Sequence, residues 1–142
     1  MLELVLAFWG SLFPAILFNI NKKYLFWVGL SGLAGWGIYM IAYNATGNVI
    51  MATFAGSCTV GFYSEIMARM FKTPASIFSV GGMFPLVPGI GAYNTVQLIV
   101  ENSLSKAASK GIETVASAGV IALGIMLASV LFRINKKLLT AK

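Results

Sequence analysis

Apolar residues run along this chain in five long blocks, approximately Leu4 to Ile20, Tyr24 to Tyr43, Val49 to Met70, Pro74 to Val100 and Thr114 to Phe132. Between the blocks lie Lys22-Lys23, the turn Asn44-Ala45-Thr46-Gly47-Asn48, Lys72 and a polar linker from Glu101 to Glu113, and after the last comes Arg133-Ile134-Asn135-Lys136-Lys137. Blocks of this length suit helices that cross a hydrocarbon core about 30 Å thick. The pattern predicts an all-α integral membrane bundle of about five transmembrane helices, forming a single transmembrane domain over residues 1–142. Met1-Leu2-Glu3-Leu4 lacks the basic start of a signal peptide, so the first block is expected to remain as a span. Pro14 should kink it.

The fourth block departs from the others because it is both too long and interrupted. As one helix it would extend about 40 Å. Pro85 and Pro88 have no N–H to donate, and their rings clash with the carbonyls of Gly81 and Phe84, so the helix is expected to break at Pro85-Leu86-Val87-Pro88-Gly89. Non-helical backbone at membrane depth is tolerated where it is buried in protein or lines a watery cavity, as in transporter sites. A proline-kinked helix without a ligand is the alternative.

With Pro88 at the first helical position, the amides of Gly89, Ile90 and Gly91 would lack intrahelical acceptors. A carboxylate there gains those hydrogen bonds and the positive end of the helix dipole, worth up to about 2 kcal/mol. Gly89 and Gly91 would leave the approach open. Pro85, Pro88, Gly89, Ile90 and Gly91 are therefore candidate substrate-binding residues. Downstream, Asn94, Gln97 and Glu101 recur at three and four residues and form one polar stripe, with Tyr93 beside it. Tyr93, Asn94 and Gln97 join the candidates as the wall of a pathway; hydrogen bonding between helices is the other reading.

Glu65 and Arg69 have the favourable order for an i,i+4 ion pair. Arg69 can snorkel to the cytoplasmic surface, whereas an acid one turn further inside needs a reason to be there. A gate or proton relay is one reason, and a structural ion pair closing the third helix against the fourth is the other. Gly29, Gly32 and Gly35, and likewise Ala52 and Gly56, offer small faces where helices of this chain or of a partner approach closely. The linker from Glu101 to Glu113 reads as a solvated connector, with a short surface helix as the alternative.

Composition narrows the chemistry. Charged residues make up 10% of the chain, against roughly 25% in soluble domains. The net charge of +6 comes from short basic clusters between apolar runs, which act as topology signals and not as a nucleic-acid surface. Placing Lys22, Lys23, Arg69, Lys72, Arg133, Lys136, Lys137 and Lys142 in the cytoplasm leaves only Lys106 and Lys110 outside, so the N-terminus is expected outside and the C-terminus inside. Cys58 is the single cysteine and histidine is absent, which argues against zinc, haem or triad chemistry; no cofactor and no enzymatic activity are expected.

Glu65-Ile66-Met67-Ala68-Arg69-Met70-Phe71-Lys72-Thr73-Pro74-Ala75, followed by Phe84-Pro85-Leu86-Val87-Pro88-Gly89 and Tyr93, resembles the threonine/serine exporter family, specifically its small five-span membrane subunit. That subunit matches the C-terminal membrane half of the fused exporters. Asn21 stands where many relatives are expected to carry proline. The resemblance implies a secondary exporter of small carboxylates, such as threonine, serine or dicarboxylates, acting with a larger membrane subunit of the same family. Five spans joined to five of opposite orientation would make an inverted-repeat pair. A non-transporting assembly subunit is the competing reading.

Overall fold

The computed structural model describes residues 2–140, and side chains as far as residue 134. Lys142, counted in the topology argument, lies outside the described residues, as do the side chains of Lys136 and Lys137. The described chain is all-helical: α1 (Leu2–Leu17), α2 (Lys22–Thr46), α3 (Val49–Phe71), α4 (Ser76–Met83), a 3-10 turn (Phe84–Leu86), α5 (Gly89–Val100) and α6 (Leu104–Thr140). Three helices are long and apolar enough to cross a membrane, or four when Ser76–Leu86 and Gly89–Val100 are taken as one span bent by 46°. At 16 residues, α1 is shorter than these. It continues through Pro14 to Leu17, leaving the Gly10 carbonyl without its helical donor.

Polar residues at the joints close the helix ends. Asn21 caps α2 by accepting from the Lys23 amide at 3.2 Å, and Asn48 caps α3 by accepting from the Ile50 and Met51 amides at 2.9 and 3.3 Å. Gly47 ends α2 in the left-handed conformation at φ 64°. Asn19, Lys72 and Asn102 take the same conformation after α1, α3 and α5. At Asn102 the bonds from its own N–H to Ile99 O and from the Ser103 N–H to Leu98 O complete a Schellman turn, so α5 folds back sharply along α6.

That reversal corrects the expected connector. Only Glu101 to Ser103 lie outside helix, and Leu104 onward belongs to α6. The alanine- and lysine-containing segment after Leu104 has good helix propensity, and α5 supplies a surface for it to pack on. With 37 residues, α6 rises about 55 Å, well beyond the thickness of a hydrocarbon core.

The small-residue faces turn out to be used within the chain. Gly29 faces Phe8, Gly32 faces Ser11, Gly35 faces Val60 and Gly56, Gly82 faces Ser31, and Gly124 faces Ser57. In lipid, where burying apolar surface gives helices little drive to associate, close backbone approach supplies it. The faces of Gly29, Gly32, Gly35, Ala52 and Gly56 are thus internal seams and not free surfaces for a partner. One core layer gathers Ala15, Val28, Met67 and Phe78. A second gathers Val60, Leu86 and Ile121, with Trp36 and Tyr39 packed against it.

A cavity at the broken helix

Leu86 anchors the break. It is buried, and a Cβ on Gly56 would meet its Cδ2 at 3.0 Å and the Gly35 carbonyl oxygen at 2.8 Å, so the two glycines make the groove that Leu86 fills. Beyond it the backbone leaves the helix: Val87 is extended at φ −61°, ψ 127°, and Pro88 has φ −76°, ψ 57°. Pro88 lies between Val87 O and the Gly89 N–H, which donates across it at 2.7 Å, forming an inverse γ-turn.

Two details of the expected anion site change as a result. Pro88 is the residue before α5 and not its first helical position, and the Gly89 amide is already occupied by Val87 O. The first helical bond runs from the Ala92 N–H to Pro88 O at 3.1 Å. In the first turn of α5 the amides left without backbone acceptors are those of Ile90 and Gly91. Gly89 faces open space, whereas Gly91 packs against Thr114 of α6.

The break borders a cavity of about 270 Å³. Its walls are Trp36 and Tyr39 from α2, Val49 and Thr53 from α3, the backbone from Pro85 to Gly91 with Asn94, and Lys110, Glu113, Thr114 and Ser117 from α6. Pro85, Pro88, Gly89, Ile90, Gly91 and Asn94 are thus brought together, as the sequence led us to expect. Tyr93 and Gln97 are not among the lining residues: Tyr93 is 68% exposed, and Gln97 donates to Glu101 at 3.0 Å on the exposed side of α5. A second cavity of about 310 Å³ lies on the α1 side, lined by Glu3, Leu6, Ala7 and Gly10, and it shares Trp36 and Pro85 with the first. Trp36 and Pro85 therefore form the partition between the two. The Trp36 indole N–H is buried and has no acceptor among the described residues.

Lys110 and Glu113, which by sequence belong to the polar segment from Glu101 to Glu113, supply the cavity's charge. Lys110 Nζ lies 2.9 Å from Glu113 Oε2, with both side chains partly exposed at 36% and 39%. Behind them, Thr114 Oγ1 donates to Lys110 O at 2.7 Å and Ser117 Oγ donates to Glu113 O at 2.9 Å. The signal was present as spacing: Lys110, Glu113, Thr114 and Ser117 recur at three and four residues on one face of a helix.

Glu65 and Arg69 lie away from this cavity and do not form the expected ion pair; among the described residues the ion pair is Lys110–Glu113. Arg69 instead donates from Nη2 to Phe132 O at 3.1 Å and stacks over the Phe132 ring at 4.6 Å. The α6 chain end draws the guanidinium away from Glu65, which is left half-buried.

Apolar helices of this length, one pair of them bent at a break, define a multi-pass membrane protein. The family described as "Threonine/Serine exporter, ThrE" matches residues 3–131, and the chain belongs to that family. It is a family of membrane transporters. No solved structure matches the chain.

Proposed function

We propose that the chain is the small membrane subunit of a secondary exporter of small carboxylates, threonine- or serine-like amino acids or dicarboxylates, and that the cavity at the broken helix holds the substrate. The observation that carries this reading is that Ile90 and Gly91, whose amides have no backbone acceptor, line one cavity together with Lys110. A carboxylate there meets two backbone donors, the positive end of α5 and a cation. Gly89 keeps the approach clear, because nothing lies within 4 Å of where its side chain would be.

Five spans with the N-terminus outside complete the proposal, α1 being counted as a span. Basic groups at one end of the bundle support the orientation: Lys23 lies over the Tyr24 and Phe71 rings at 5.8 and 5.9 Å, and Arg69 meets Phe132 at the same end. A larger membrane subunit of the same family, or a second copy of this chain, would close the site. The need for such a partner is supported by α5, which walls the cavity yet has no fully buried residue. Its exposed stripe of Ile90, Tyr93, Val96 and Val100 is the candidate contact.

Transport by the reconstituted protein with and without the membrane partner that co-purifies with it tests the proposal. Carboxylate export that requires both is expected. Full transport by a demonstrated monomer would remove the partner, and association without any transport would favour an assembly subunit. Reporter fusions at the two termini check the orientation, and a cytoplasmic N-terminus would contradict it.

A further inference from the structure

Resting on that reading of the site, we infer that Lys110 and Glu113 form its selectivity element. Together they admit ligands that carry an ammonium beside the carboxylate and disfavour ligands that carry a second carboxylate. The pair lines the cavity with its charges 2.9 Å apart, on the α6 face that meets the start of α5.

The argument is one of charge balance. The cavity wall holds one cation and one anion, and α5 adds a partial positive charge at its first turn. A zwitterion can insert into the ion pair so that no charge loses its partner. Its carboxylate takes Lys110 and the free amides of Ile90 and Gly91, and its ammonium takes Glu113. A ligand with only a carboxylate takes Lys110 from Glu113 and leaves that acid uncompensated in a partly desolvated place, which is unfavourable. A dicarboxylate adds like-charge repulsion against Glu113. Discrimination thus arises from the rejecting charge as much as from the attracting one.

Thr114 and Ser117 serve the arrangement indirectly. Their hydroxyls donate to the Lys110 and Glu113 carbonyls within α6, so neither hydroxyl hydrogen is taken by the Glu113 carboxylate. Both charged side chains are short of full burial, so the pair has room to open around a ligand.

Radiolabelled L-threonine and succinate, measured by direct binding to the full chain purified with its membrane partner, test the inference. Glu113→Gln is expected to weaken threonine binding about tenfold or more while leaving succinate binding unchanged or stronger. Lys110→Gln should weaken both. A charge-swapped double variant, Lys110→Glu with Glu113→Lys, keeps an i,i+3 ion pair but sets the anion where the cation had faced the ligand; threonine binding should stay impaired. Equal losses of both probes in Glu113→Gln, or threonine binding restored by the swap, would make the pair structural and overturn the inference. If Glu113→Gln does not accumulate, the swap alone decides between the two. Gly89→Val in the same assay separates the two levels of the account. If it loses both probes while Glu113→Gln leaves their ratio unchanged, only the selectivity role falls; if it retains both, the carboxylate site falls with it. A wild-type complex that binds neither probe overturns both.

Discussion

A side chain at Gly91 would place its Cβ 2.6 Å from Thr114 Oγ1, and that hydroxyl is itself fixed by donating to Lys110 O at 2.7 Å. Gly91 is therefore where α5 closes on α6, directly behind the charged pair. Two residues earlier, at Gly89, the same addition meets nothing within 4 Å. One motif thus holds two different glycines, one in helix contact at Gly91 and one facing open space at Gly89.

Gly91→Val should consequently be destabilising by about 1–3 kcal/mol, the usual range for overpacking. Thermal melting of the detergent-solubilised protein checks this, with Gly89→Val as the tolerated control. Equal melting of the two variants would mean that the α5–α6 contact is softer than its geometry indicates.

Along the α3–α6 seam, Gly124→Leu is expected to reduce the yield of monodisperse protein sharply. Its Cβ would run into Ser57 Oγ and lie 3.0 Å from the Cys58 amide nitrogen. Gly119→Leu, where no atom lies within 4 Å, should leave the yield unchanged. Size-exclusion profiles of the two variants provide the comparison; a normal Gly124→Leu profile would contradict the seam.

Glu65→Gln should lower transport while leaving abundance and melting near wild type. With Arg69 engaged by Phe132 O, no ion pair among the described residues is lost when the Glu65 charge is removed. An acid in a membrane span that has no charged partner among the described residues points to a role in gating or proton relay. Paired measurements of transport and abundance test this, and parallel losses in both would assign Glu65 a structural role.

The helical blocks and the break were legible because their causes are local. Apolar runs set the helices, Gly47 and Asn48 mark the turn between α2 and α3, and the backbone leaves the helix at Val87-Pro88, whereas Pro85 is carried in the 3-10 turn that continues from α4. What escaped the sequence depends on tertiary arrangement. The polar segment from Glu101 to Glu113 resembled a connector until the Asn102 turn laid it along α5. Lys110 and Glu113 entered the site only through that reversal. The Gly89 amide was misassigned because its acceptor, Val87 O, depends on the backbone angles of Pro88 and not on residue type. The glycine faces signalled close approach correctly, but spacing alone cannot say whether the approaching helix belongs to the same chain.

Carboxylate binding by the purified Gly89→Val variant tests the central claim most directly. The substitution leaves charge unaltered, fills space that is open in the structure and sets a branched side chain beside the Ile90 and Gly91 amides. The account predicts a loss of affinity of about tenfold or more, with melting temperature unchanged. Undiminished affinity in that well-folded variant would contradict it and move the carboxylate away from the broken helix.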